Sequence, residues 1–460
     1  MADPGPRHGG LTPTKPATPR SPLEVGRGVR RPGAAISSGH RKILFVSTTL
    51  GERTRPATRR AGAFLALLGP AFVAAIAYVD PGNVASNISA GARFGYLLVW
   101  VIVMANAMAG LVQFLSAKLG LVTGMSLPEA VRERASRPVR LAYWGQAETV
   151  AMATDLAEVV GGAIALHLLF GLPLVVGGLI TGVVSMGLLL VQDRRGQRPF
   201  ERVIIGMLAV IAVGFLASVV ISPPSASEAV AGLVPRFDGA ESVLLAAAMI
   251  GATVMPHAVY LHSGLARDRH GHPAPGPGRI RLLRATRVDV GLAMVLAGTV
   301  NLAMLLMAAN TLRGRENVDT LEGAHAAVRE ALGPVAGLLL AIGLLASGLA
   351  STSVGAYAGA MIMQGLLRRR VALLLRRLIT LIPAIAVLAA GIDPTRALII
   401  SQVVLSFGIP FALIPLVRLT ADRALMGADV NHRVTSALAW LVAVIISLLN
   451  VALIYLTVTG

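Results

Sequence analysis

The run Val79-Asp80-Pro81-Gly82-Asn83-Val84 interrupts an apolar segment that extends from about residue 64 to residue 92. A carboxylate at the middle of a membrane helix costs roughly 2.5–3.5 kcal/mol on insertion scales and calls for a partner or a function. Pro81 has no N–H to donate and its ring clashes with the preceding turn, so the helix breaks there. In lipid, the carbonyls freed by such a break must be satisfied by protein, water or a ligand.

A second break of the same kind occurs in an apolar segment near 240–265, at Ala252-Thr253-Val254-Met255-Pro256-His257. Paired broken helices at corresponding places in two halves of a chain point to the binding site of a transporter. The two breaks lie in the first and sixth apolar segments. Five is odd, so the second set of five helices enters the membrane in the opposite sense. The expected architecture is therefore all-α and integral to the membrane, with two inverted five-helix repeats at about 64–222 and 240–420. Helices 1 and 6 are discontinuous, and an eleventh helix at about 434–458 is an addition.

Composition agrees. The chain of 460 residues is 55% hydrophobic and 14% charged, with a mean hydropathy of +0.71; soluble proteins carry roughly 25% charged residues. Ala, Leu, Val and Gly fill the apolar stretches, which suits close helix packing in lipid and not the alternating strands of a β-barrel. Eleven apolar segments are long enough to span, near 64–92, 96–121, 141–170, 172–192, 201–222, 240–265, 288–311, 333–366, 371–391, 395–419 and 434–458.

The net charge of +18 does not imply nucleic acid. Residues 1–62 carry 12 Lys/Arg and 3 Asp/Glu, half of the excess, in a Pro-, Gly- and Ser-rich stretch without apolar period. We read them as a disordered basic arm, ahead of a transmembrane domain over 63–460. No signal peptide precedes that domain. The remaining excess sits in alternate short loops, with Arg132, Arg134, Arg137 and Arg140 after span 2, Arg194, Arg195, Arg198 and Arg202 after span 4, and Arg368–Arg370 after span 8. The loop after span 6 carries Arg267, Arg269, Arg279, Arg281, Arg284 and Arg287. The positive-inside rule then places the N-terminus in the cytoplasm and the C-terminus outside, for a multi-pass protein of the cell inner (plasma) membrane. There is no cysteine, which excludes disulfides and thiolate metal sites.

The donors beside the two breaks define the chemistry. No Lys or Arg lies in the core of spans 1, 2, 3, 6 or 7 to neutralise Asp80. Asn83 supplies an amide oxygen, or caps the second half-helix. Met255 supplies a thioether, which is soft and suits transition metals better than Mg²⁺ or Ca²⁺. His257 and His262 are open to metal ligation, proton relay or plain hydrogen bonding. In span 3, Glu148, Asp155 and Glu158 share one helix face, which suggests a proton route. Arg376 and Arg377 in span 9 are their natural partners, or else continue the basic cluster at Arg368–Arg370. Gln402 early in span 10 offers a further amide. Asn106 and Asn301 are buried amides of the kind that bond other helices.

Taken together and in order, Asp80-Pro81-Gly82-Asn83, Met255-Pro256-His257 and Thr154-Asp155-Leu156-Ala157-Glu158 resemble the Nramp family of proton-coupled divalent metal transporters. Ala346-Ser347-Gly348-Leu349-Ala350-Ser351-Thr352-Ser353 in span 8 and span 10 agree, and the resemblance covers about 60–460. It implies a LeuT-like fold and alternating access. It implies metal binding by the side chains of Asp80, Asn83 and Met255, with backbone carbonyls of Ala77 and Ala252 in some conformations and Gln402 in others. It implies proton uptake at Asp80 and Asp155, with Glu148, Glu158, His257, Arg376 and Arg377 along the exit path. The expected cargo is Mn²⁺ or Fe²⁺, and also Cd²⁺, together with H⁺. No resident cofactor or obligate protein partner is expected, and the family offers no role for the arm.

The competing reading is a LeuT-fold transporter of an organic solute such as an amino acid. It gives no reason for Met255 or for the acidic row in span 3, and Asp80 would repel an organic carboxylate. An intramembrane enzyme would need a motif such as His-Glu-x-x-His or Gly-x-Gly-Asp, and neither is present.

Overall fold

The computed structural model describes residues 69–459 except Gly196 and 369–372. The arm, Arg369 and Arg370 therefore lie outside the described residues, as does the start of the first span. The described residues belong to one unit, Pro56–Gly460, and their regular structure is helical throughout.

Each of the eleven apolar segments is a helix or a pair of half-helices. The first comprises α1 (Pro70–Ala75), a 3₁₀ turn (Ile76–Val79) and α2 (Pro81–Phe94). α3 (Val99–Thr123), α5 (Arg137–Phe170), α6 (Leu174–Arg195) and α7 (Gln197–Ile221) complete the first half, with the short α4 (Leu127–Arg134) between α3 and α5. After the short α8 (Ala226–Ala231), the sixth segment is split into α9 (Gly239–Thr253) and α10 (Pro256–His270). Then follow α11 (Pro277–Thr311), the short α12 (Leu321–Leu332), α13 (Pro334–Leu367), α14 (Leu373–Ala389), α15 (Pro394–Ala421), the short α16 (Arg423–Met426) and α17 (Arg433–Thr459).

Among the described residues, eight of these helices, counting α9–α10 as one, are long and apolar enough to cross a membrane alone. Of the other three segments, the first is broken at Asp80 and only partly described, α6 contributes a described apolar stretch Leu174–Leu188, and α14 carries Arg376 and Arg377 near its start. α11 begins eleven residues before the expected start of span 7 at 288. Its arginine-rich first turns are helical too, because Arg is a good helix former and their opposite face is buried: Leu282, Ala285, Thr286 and Asp289 are all covered.

Both breaks start a new half-helix with proline at its first position, where the missing N–H costs nothing. The two broken segments lie at the centre. α2 packs on α11, α9 on α15, and α5 on α13. The close approach of Pro81 to α5 depends on Gly161, where a Cβ would collide with the proline ring.

Candidate metal and proton site

The first break is held by its own side chains. Asp80, in extended conformation, is the N-cap of α2: its Oδ1 accepts from Asn83 N at 2.7 Å. This corrects the alternative that gave Asn83 the capping role; Asn83 is the third helical residue and donates to the cap. Asn83 Nδ2 also donates to Asp80 Oδ1 at 3.0 Å and, across to the second break, to the Ala252 carbonyl at 2.9 Å. That carbonyl is the one Pro256 leaves without its helical donor. Thr253 Oγ1 donates to Asn83 Oδ1 at 3.4 Å.

The third side of the site is α15. Gln402 Nε2 donates to Asp80 Oδ2 at 3.4 Å, while Gln402 Oε1 has no hydrogen-bond partner among the described residues. Gly82 makes this contact possible, since a Cβ there would collide with the Gln402 amide. Ala77 lies in the 3₁₀ turn one residue before Tyr78, and Met255 is the N-cap of α10. Asp80, Asn83, Met255, Ala77, Ala252 and Gln402 are all fully buried. The structure thus brings the first and second breaks and Gln402 together as expected.

Among the described residues no three His, Cys, Asp or Glu side chains are grouped so as to hold a metal ion. A cation held at Asp80 would therefore draw on one carboxylate plus amide, thioether and carbonyl donors. That mixed, partly soft set fits a divalent transition metal better than Mg²⁺ or Ca²⁺, which take hard oxygens.

The carbonyls of the 3₁₀ turn are satisfied by residues that the motifs did not single out for this task. Asn301 Nδ2 of α11 donates to Tyr78 O at 2.7 Å, and Ser347 Oγ of α13 donates to Val79 O. Asn301 Oδ1 in turn accepts from Asn87 Nδ2 at 3.1 Å. Asn106, expected as a second buried amide, is only half-buried and fills the space over Gly298 of α11.

From the site, the row on α5 leads toward α14. His257 Nδ1 is 3.3 Å from Thr154 Oγ1, which joins α10 to α5. Asp155 Oδ1 and Arg377 form a fully buried ion pair at 2.8 Å, and Arg377 Nε also donates to Ser185 Oγ. Arg376 donates to Glu148 Oε1 at 3.0 Å. The expected partnership is therefore present for two of the three acids, Arg376 with Glu148 and Arg377 with Asp155. Glu158 is buried with its Oε2 lacking a hydrogen-bond partner among the described residues, as is Asp155 Oδ2. Such orphaned buried acceptors cost about 1–3 kcal/mol each.

His262 does not join that row. Its Nδ1 lies 2.7 Å from Gln113 Oε1, and Gln113 Nε2 donates to the Tyr78 hydroxyl. Lys118, late in α3, donates to Asn431 Oδ1 at 2.8 Å. Asp289 accepts from Gly69 N at 3.1 Å and Ala71 N at 3.0 Å, capping α1 from α11. Sequence reasoning missed this cap. The only signal was a lone acid at the start of span 7, which does not say which N–H groups it receives.

The Nramp family profile, described as natural resistance-associated macrophage protein-like, matches residues 71–456. A divalent metal cation transporter MntH of Mycobacterium tuberculosis is 70% identical over 394 residues, covering 86% of this chain and 92% of its own. The MntH of Bacillus subtilis is 47% identical over 392 residues, covering 85% and 92%. A crystal structure of the Eremococcus coleocola manganese transporter superposes with a TM-score of 0.77 at 33% identity, covering 85% of this chain and 86% of that one. Two LeuT-fold transporters share the fold alone. They are MHP1, of the nucleobase-cation-symport-1 family, and MhsT with bound L-phenylalanine, at TM-scores of 0.53 and 0.57 and 16% and 13% identity. The chain is an all-helical, multi-pass membrane protein of LeuT-like fold, and it belongs to the Nramp family.

Proposed function

We propose that this protein imports divalent transition metal ions, Mn²⁺ or Fe²⁺ and also Cd²⁺, coupled to protons, by alternating access between two inverted five-helix repeats. The observation that carries the reading is the convergence of both breaks on one buried carboxylate, with Asn83 bridging Asp80 and the Ala252 carbonyl. Asp80, Asn83 and Met255 bind the metal through side chains. The Ala77 and Ala252 carbonyls and Gln402 complete the shell in different states. Asp80 and Asp155 accept protons, and Glu148, Glu158, His257, Arg376 and Arg377 carry them onward. The buried pairs Asp155–Arg377 and Glu148–Arg376 support this route, because acids and bases inside a membrane protein line proton paths. The alternation of loop arginines supports an N-terminus in the cytoplasm and a C-terminus outside, in the plasma membrane.

An organic solute is not favoured. The relatives of high identity are named as divalent metal cation transporters, and the solute transporters share only the fold. The deciding experiment is uptake into proteoliposomes of Mn²⁺, Fe²⁺, Cd²⁺, Ca²⁺ and Mg²⁺ with a pH reporter inside. Metal-dependent acidification with the transition metals is expected; metal uptake without it rejects the coupling.

A further inference from the structure

The first turns of α11 carry Arg281, Arg284 and Arg287, all exposed, at a spacing of three residues. At 100° per residue they share a face with Val288, Leu292 and Val295, which are 42%, 50% and 66% exposed. The apolar part of this face can only meet lipid, so the arginine part stands at the membrane boundary directly above the same lipid. Among the described residues none of the three guanidinium groups has a carboxylate partner. Arg287 is instead fixed over the ring of Phe114 on α3, 4.9 Å from its centroid. Phe114 is also where the accessible face of α3 ends; further up, that face exposes Ala107 and Val103. The floor between the two helices is Gly110 against Met294 and Gly298 against Asn106.

From this arrangement we infer that the arginine-bearing end of the α3–α11 groove is a binding site for an anionic phospholipid. The phosphodiester meets Arg281, Arg284 and Arg287, whose planar forks match phosphate oxygens. The acyl chains lie along Val288, Leu292 and Val295 on one side and Ala107 and Val103 on the other. A zwitterionic lipid carries a cation that partly offsets its phosphate, so it gains less from the cluster than an anionic one. The site lies outside the metal and proton machinery, at the flank of the helix that supplies Asn301 to the first break.

Native mass spectrometry of the full chain, titrated with phosphatidylglycerol or phosphatidylcholine, tests this. The wild type should retain phosphatidylglycerol preferentially. R281Q/R284Q should lose that retention by about fivefold for each arginine removed, while R281K/R284K keeps most of it. Neither Arg281 nor Arg284 has an ion-pair partner among the described residues, so the fold should tolerate the change. If the double variant does not purify, R284Q alone carries the same test at about fivefold. Equal retention of the two lipids by the wild type overturns the site. So does full retention in R281Q/R284Q, or an equal loss in R423Q/R433Q, which removes two exposed arginines elsewhere.

Discussion

Asn83 Nδ2 donates at once to Asp80 Oδ1 and to the Ala252 carbonyl, at 3.0 and 2.9 Å, and so ties the two broken helices to each other. One amide here does what a backbone N–H cannot, since Pro256 removed the donor that Ala252 O would have used in an unbroken helix. The same amide holds the only acid of the site. Under the proposed function, a metal bound to Asp80 and the Ala252 carbonyl would compete with this amide for both oxygens, which would link binding to the junction of the half-helices.

Asp80→Asn should abolish metal uptake and metal-driven proton entry together. The substitution keeps the cap of α2, because Asn is as good an N-cap as Asp, and removes the charge and the proton acceptor. Radiometal uptake in proteoliposomes checks it, with thermal unfolding in detergent as the fold control. Uptake at the wild-type rate by a folded variant would sink the site assignment.

Met255→Ala should weaken the preference for Mn²⁺ or Cd²⁺ over Ca²⁺ and Mg²⁺, with Cd²⁺ affected most, because the one soft donor is lost. Met255 is fully buried, so the change also costs about 2–5 kcal/mol of packing. Competition uptake normalised to folded protein separates the two effects. A general loss of stability lowers all rates alike, whereas a lost ligand reorders the metals. An unchanged ranking rejects the role.

Arg377→Gln leaves Asp155 as an unpaired buried charge, and breaking one side of a buried pair costs about 3–5 kcal/mol. The double variant D155N/R377Q should recover most of that stability. It should not recover the pH dependence of uptake, because no titratable pair remains at that point of the row. Denaturation midpoints for the wild type and the two variants, together with uptake at two external pH values, check this. A double variant with wild-type pH dependence would exclude Asp155 from the proton route.

Much of this site was legible in the sequence because its signals are expensive in lipid. An acid, two prolines and a row of carboxylates stand out against Ala, Leu and Val. The arginine partners were legible too, since two charges inside span 9 needed opposite charges within reach. What was not legible was who satisfies whom. Nothing in the text of Ser347 or Asn301 says that they receive the Val79 and Tyr78 carbonyls, because a hydroxyl or amide in an apolar helix has many possible partners. The cap of α1 by Asp289 was hidden in the same way, since a lone acid at the start of span 7 does not name the N–H groups it receives. The helical start of α11 at Pro277 shows that the boundary of a span and the boundary of a helix are different quantities.

Glu129 offers a prediction outside the membrane spans. It lies in α4, where its carboxylate accepts from the Ser126 N–H at 2.7 Å and the Ser126 hydroxyl at 2.8 Å and pairs with Arg267 of α10. Burial pushes its carboxyl up, but these hydrogen bonds and the guanidinium outweigh burial and hold it below the usual 4.5. A carboxyl whose folded value is depressed adds stability that is fully present above the unfolded value and is lost as pH falls through the folded one. The wild type should therefore melt above E129Q by a constant margin at neutral pH, and that margin should shrink as pH drops below about 4.5. Melting curves in detergent across pH 7 to about pH 3 measure it. A margin that grows on acidification, or one that is absent at neutral pH, would mean that the tether between α4 and α10 does not contribute to stability.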